Sequence, residues 1–356
     1  MKLSTIWIIG LLLAGFSARS QDWKALALPT TGAKWVQPAQ GTPALPIWGH
    51  VQGIQVGIAP LPGPRGLLRI YTPYLGHEPW NEMNFIAFEP IVEGQKMRGL
   101  SELEPSKLDE KRGKRFWSAN DSLQTNPVSE TLPASGIIEK INGEETLTIF
   151  IFSEAFDNGA KVYCRLRFYE RRPYEIEIST HKTPESAALS HFIVTATMGN
   201  YARLRKLFLK PGVKESGAIW PQYTGDGFTA HARFPASDLL TDRAGQLYFL
   251  AAPDEKEPGQ ATYAPNTKNH WKYYGKKATQ YWYTPGNIKG VEGLVNGRYM
   301  YWASQSPIPG GISFENFELN SPYEEGACFV FGVSPLKPEK LIRKLGRGGH
   351  RSGQKK

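Results

Sequence analysis

Three glutamates carry the sharpest chemical signal in the chain. Glu89 lies in NFIAFEPIVEG (84–94), and Glu315 and Glu318 lie in ISFENFEL (312–319). Each is a carboxylate set among apolar and aromatic neighbours. A carboxyl group buried there must be paired, or it holds its proton to a higher pH. A proton held near neutral pH is what a general acid needs. Two carboxyl groups either side of a glycosidic bond can supply acid and base, or acid and nucleophile. In an undistorted strand, Glu315 shares a face with Phe317 and Leu319, and Glu318 with Phe314 and Asn316. The two therefore form no adjacent dyad unless a bulge intervenes. A pair joining Glu89 to one of them is the more plausible arrangement.

Other residues suit acid–base work or sugar contact. His191 alternates in SHFIVTATMG (190–199) onto the face of Ile193, Thr195 and Thr197, and a histidine can act as a base near neutral pH. His50 sits beside Trp48 in PIWGHVQG. Arg69 and Tyr71 share a face in LLRIYTP. The stretches NHWKYYGKKATQYWYTPG (269–286) and GRYMYWASQSP (297–307) bring Trp271, Trp282, Tyr301, Trp302 and Gln305. Aromatic rings offer apolar faces to sugar rings, and Arg, Gln and His can hold hydroxyl groups. The competing reading of these rings is core packing with lysine stems laid over it.

The elements that must position these residues read as strands. ETLTIFIFSEAF (145–156), AKVYCRLRFYE (160–170), YEIEISTHK (174–182) and LSHFIVTATMG (189–199) follow one another with period-two patterning, and Gly, Asn and Pro punctuate the turns. Further along the chain QLYFLAA (246–252) and TQYWYT (279–284) continue the pattern. Residues 101–122 are charged without an apolar face and read as a loop. Helix signals reduce to one turn near Ala236–Leu240 and a short helix at Pro338–Leu345. No phosphate-binding glycine loop, HExxH or GxSxG occurs. Many strands, few helices and turns rich in Gly and Pro predict an all-β fold, a large antiparallel β-sandwich with few short helices.

The ends set the compartment and the charge. Lys2, the apolar run Ile6–Phe16 and the small and polar residues after it predict a signal peptide over 1–21, hence export to the periplasm or medium. Residues 22–44 read as an extended lead-in, 45–336 as a single large β-sandwich domain, and 337–356 as a basic tail, partly disordered. That tail holds eight Lys or Arg against Glu339, and the leader adds Lys2 and Arg19, which together account for the whole formal charge of +9. The domain itself is then neutral, which argues against nucleic acid as a partner. No second long apolar run follows the leader, so no stable membrane insertion is expected. The two cysteines, Cys164 and Cys328, are open to a disulfide or to two buried thiols.

Taken over residues 45–336, this aromatic-rich β body behind a leader resembles the broad galactose-mutarotase-like, or super-sandwich, group of carbohydrate-active proteins of bacterial polysaccharide utilisation. The resemblance is one of architecture and implies a ligand across the face of a large sheet. The expected function is a secreted glycoside hydrolase acting on a polysaccharide or oligosaccharide, with Glu89, Glu315, Glu318 and His191 as catalytic candidates. His50, Arg69, Tyr71, Trp271, Trp282, Tyr301, Trp302 and Gln305 are the substrate-binding candidates. The alternatives are a lyase that cleaves a uronic-acid-containing glycan by β-elimination and a non-catalytic glycan-binding protein. Nothing in the sequence calls for a cofactor or a metal, and it leaves the oligomeric state open.

Overall fold

Alternation of apolar and polar residues builds two facing sheets in this computed structural model. It describes residues 26–59, 63–78, 80–126, 131–199, 201–223, 225, 227–254, 256, 258, 263, 272–286, 289–299 and 312–347. The strand Val162–Tyr169 shows the principle. Val162, Cys164, Leu166 and Phe168 are buried in the core, and Tyr163, Arg165, Arg167 and Tyr169 are half-buried on the other face.

Among the described residues, one sheet orders its ten strands as Thr30–Thr31, Trp35–Gln37, Ile47–His50, Gln55–Gly57, Leu68–Tyr71, Glu82–Val92, Leu189–Ala196, Ser313–Pro322, Glu292–Arg298 and Ala232–Pro235. The second runs from Gly212–Glu215 through Leu204–Leu209, Leu247–Pro253, Thr279–Thr284, Cys328–Ser334, Glu175–Lys182, Val162–Tyr169 and Glu144–Ser153 to Phe116–Ala119. Neighbouring strands pair antiparallel. The core joins the sheets: Ile70, Ile86, Phe88, Phe192, Val194, Phe317 and Leu319 of the first share one apolar cluster with Leu166, Ile178, Phe249, Trp282 and Phe331 of the second. This is the all-β sandwich expected. The helices are short: Ser216–Ile219, and Pro338–Arg347, whose Leu341, Ile342 and Leu345 pack on a second apolar cluster with Tyr248, Tyr281 and Tyr283. None of the described helices is long and apolar enough to cross a membrane.

The expected loop over 101–122 is largely that, but it ends in the strand Phe116–Ala119. Its anchor is Lys114, whose buried ammonium donates to Pro105 O at 3.0 Å and to Asp157 Oδ1 at 3.1 Å, and lies 3.1 Å from Glu104 Oε2. Glu104 in turn accepts from the backbone of Leu100 and Asp157.

The cysteines are both thiols. Cys164 pairs with Thr180 and Cys328 with Ser179, adjacent residues of one strand, so the two side chains leave the sheet on opposite faces. Burial raises the Cys164 thiol well above its usual range and pushes Cys328 up to about 12.

Two outcomes test this architecture. Alkylation after denaturation without a reductant should label both Cys164 and Cys328, and an unlabelled pair would contradict the strand register. Lys114→Met should cost about 2–3 kcal/mol in urea unfolding, because it strips the cation from a partly buried carboxylate pair. A change near zero would mean that the loop is held by other contacts.

Candidate functional site

The strand that carries Glu89 continues through Pro90. It runs on to Val92, with Ile86 and Phe88 in the core and Glu89 on the opposite, outer face, 4% exposed. Along that face the register builds a small grid. Glu89 pairs with Ile193, which pairs with Asn320. One step along, Ala87 pairs with Thr195, which pairs with Glu318. Glu89 and Glu318 thus flank the strand Leu189–Ala196 from its two sides.

A bulge decides which glutamates share this face. Val295 pairs with Phe317 and Gly297 with Phe314, so one residue, Asn296, stands against both Glu315 and Asn316. Asn296 Oδ1 holds the spare backbone N–H of Asn316 at 3.0 Å. The extra residue shifts the alternation, and Phe314 and Phe317 both enter the core. The expectation that Glu315 and Glu318 face opposite ways is therefore corrected. Both leave the core face.

The cation between the carboxyl groups comes from the turn after Val92. Gly94, at φ 76°, reverses the chain, Arg98 bridges back to Ile91, and Gly99 N–H donates to Pro90 O at 2.9 Å. Arg98 Nη1 then donates to Glu89 Oε2 at 2.7 Å and to Glu318 Oε2 at 3.0 Å. Because those carboxyl groups stand on either side of the Leu189–Ala196 strand, the guanidinium lies across that strand, over Ile193 and Thr195. The other Glu318 oxygen, Oε1, lies 3.2 Å from His231 Nε2. Glu102 approaches from the same excursion as Arg98 and hydrogen-bonds Thr197. Glu318 is fully buried, while the side chains of Arg98 and His231 keep 21% and 29% of their surface exposed. The cluster opens to solvent through those two.

The electrostatics act on two of the carboxyl groups, Glu89 and Glu102. Burial, then the Glu318 charge, push Glu89 up to about 8 against the pull of Arg98. Burial also raises Glu102. A carboxyl that keeps its proton towards neutral pH is suited to act as a general acid. The Glu318–His231 contact adds an imidazole oriented by a carboxylate.

The remaining candidates fall elsewhere. His191 is on the same face, paired with Ile91, one side-chain row beyond Glu89. Arg69 and Tyr71 are buried. Arg69 pairs with Glu82 at 2.5 Å and donates to Pro64 O, and Tyr71 packs with Val36, Leu45 and Ile47. His50 lies three strands from Glu89, edge-on to Trp35 at 5.5 Å. Trp282 is a core residue, fully buried, bonded to Phe317 O and packed on Phe331. It offers no open face to a sugar, which corrects its expected role as a platform. Trp271, Tyr301, Trp302 and Gln305 lie outside the described residues. Arg98, Glu102 and His231 were missed. The one signal for Arg98 was its place across a glycine turn from an awkward carboxylate. Among the described residues no group of three or more His, Cys, Asp or Glu is placed to hold a metal ion.

No family model matches the chain, and no curated protein matches it. Among solved structures it is similar to the GH36 alpha-galactosidase AgaA from Geobacillus stearothermophilus, a variant in complex with stachyose. The identity is 10% and the TM-score 0.30, over 86% of this chain and 40% of that one. The chain thus spans less than half the length of that enzyme, and a likeness of this degree carries no argument about the site.

The raised Glu89 has a measurable consequence. Its folded carboxyl keeps its proton to higher pH than the unfolded one. Its contribution to stability is full below about 4.5 and is lost as pH rises towards about 8. Glu89→Gln should remove that slope from the stability profile. Carbon-detected NMR of labelled glutamate should show the Glu89 carboxyl titrating near 8 and moving down in Glu318→Gln. A Glu89 that titrates near 4.5 would overturn the assignment.

Proposed function

We propose that this chain is a carbohydrate-active enzyme that hydrolyses glycosidic bonds on the outer face of the ten-stranded sheet. The observation that supports it most is the Glu89–Arg98–Glu318 bridge, which joins two strands 229 residues apart in sequence. Both carboxyl oxygens lie within 3.0 Å of one nitrogen, so they stand less than ~6 Å apart, below the ~6.5–9.5 Å that leaves room for an attacking water. The close spacing favours the retaining course. Arg98 swings out through its solvent-facing side and the glycosidic linkage takes its place. Glu318 then attacks the anomeric carbon as the bond to the leaving oxygen breaks, and Glu89 gives that oxygen its proton. Water, giving a proton to Glu89 as base, then attacks the anomeric carbon as its bond to Glu318 breaks, which frees the Glu318 carboxylate and returns Glu89 to the acid form. Thr195, Thr197 and Asn320 around the pair suit a polyhydroxylated ligand. Export from the cytoplasm, as the leader-type N-terminus suggests, would suit an enzyme acting on a polysaccharide.

One contact favours a second reading. Glu318 orients His231, and an imidazole so held could take the proton α to a uronate carboxyl group in a β-elimination. That is the lyase course.

A screen of the purified protein against neutral and uronic-acid polysaccharides separates them. New reducing ends without absorbance near 232 nm, with retained anomeric configuration, are the expected result. Glu89→Gln and Glu318→Gln should each lower that activity by about 10²–10⁴-fold. Absorbance rising with the reducing ends would replace hydrolysis by elimination and move the base to His231. Glycan binding without any product would leave a non-catalytic binding protein.

A further inference from the structure

We infer that Thr195 and Asn320 form the hydroxyl-reading subsite of this face, and that the sugar ring it takes is neutral. The inference rests on the carbohydrate reading above. Thr195 stands directly opposite Glu318, and Asn320 lies two residues beyond Glu318 and opposite Ile193. Both point away from the core, because Val194, Ala196, Phe317 and Leu319 take the core side. Thr195 is fully buried and Asn320 is 7% exposed.

Each side chain keeps a polar atom unspent. Thr195 Oγ1 has no hydrogen-bond partner among the described residues. Asn320 donates through Nδ2 to Glu292 Oε1 at 2.8 Å, and its Oδ1 has no partner there. Buried polar atoms without partners are costly, and native proteins carry few of them without a use. These two sit beside the carboxylate that would meet the anomeric carbon. Glu89, Ile193 and Asn320 form one row and Ala87, Thr195 and Glu318 the next, a footprint two strand spacings wide, suited to one pyranose ring. Ile193 gives that ring an apolar floor.

The charges on this face say which kind of ring fits. Arg98 is paired with Glu89 and Glu318 in the closed site and is withdrawn towards solvent when the ring enters, and Arg233 is spent on Glu292 at 2.8 Å. Arg69, on the next strand, is spent on Glu82. A uronate brought against Glu318 and Glu292 would meet two carboxylates, with Arg233 and Arg69 already paired to acids of their own. A neutral ring asks only for donors and acceptors, which Thr195 and Asn320 supply. When Arg98 moves aside, the surface beneath it is the Ile193–Thr195 stretch of strand, so the subsite opens in the same step that frees the acid pair.

Calorimetric titration in the Glu89→Gln background tests this without turnover. The probes are manno-, cello- and galacto-oligosaccharides against oligogalacturonates and alginate oligosaccharides. At least one neutral series should bind more tightly than every uronate series. Thr195→Val and Asn320→Ala should each weaken that binding about tenfold, with melting temperatures showing that both variants fold. Tighter uronate binding, neutral binding that ignores both substitutions, or no neutral binding at all would overturn the inference. Hydrolysis of the same panel by the unsubstituted protein judges the parent reading separately. Glu89-dependent hydrolysis of uronates alone keeps the enzyme and discards the subsite. Neutral binding sensitive to Thr195 without hydrolysis keeps the subsite and discards the enzyme.

Discussion

One guanidinium holds this face of the protein together. Glu89 and Glu318 are buried on opposite sides of a central strand, and neither could be taken from water alone without a large desolvation cost. Arg98 reaches both with a single nitrogen. That geometry requires the chain to double back after Val92, and it requires the returning segment to stay put. The hydrogen bonds of Gly99 to Pro90 and of Phe88 N–H to Ser101 Oγ fix the near end of the segment. The buried Lys114 fixes the far end against Glu104 and Asp157. A loop with no apolar face is thus ordered by buried polar contacts, each satisfied by a named partner.

The rest of the sandwich supplies a floor. The two sheets share one apolar core, crossed by a polar tie in which Asn84 donates to Gln280 at 2.7 Å and accepts from the backbone of Phe85 and Met198. Asn84 lies on the strand of Glu89, and Met198 follows the strand of Thr195. The tie therefore pins the two central strands of the grid from behind. The outer face of the second sheet is used differently. There Glu175 accepts from Tyr281 at 2.7 Å and Tyr283 at 3.0 Å, and Arg172 lies over Tyr169 at 3.7 Å. Among the described residues many of the aromatic rings are consumed in such packing.

That division explains what the sequence could and could not show. Alternation is local, so the strands around Val162–Tyr169 and Leu189–Ala196 were legible, as was the awkwardness of Glu89 among apolar neighbours. The facing of Glu315 was misjudged because a bulge depends on the partner strand, here Asn296, which period-two counting cannot see. Trp282 lies in an aromatic run that reads equally as core or as platform, and only the opposing sheet decides. His231 reaches Glu318 across 87 residues of chain. Such contacts leave no mark in spacing. The opposite facing of the two cysteines follows from register between three strands, which composition does not contain.

In the proposed reaction, the departure of Arg98 changes both groups it leaves. In the closed site its charge works against burial at Glu89 and draws that carboxyl down from where desolvation and Glu318 would put it. With the guanidinium gone and a sugar in its place, the lowering influence vanishes while burial persists, so Glu89 keeps its proton more firmly as the substrate arrives. Glu318 loses a hydrogen-bond donor from Oε2 but keeps His231 at Oε1. With the guanidinium gone, that oxygen is open to the anomeric carbon. The same cation that makes the empty site affordable would block it, and moving that cation is the step that turns a structural ion cluster into an acid and a nucleophile.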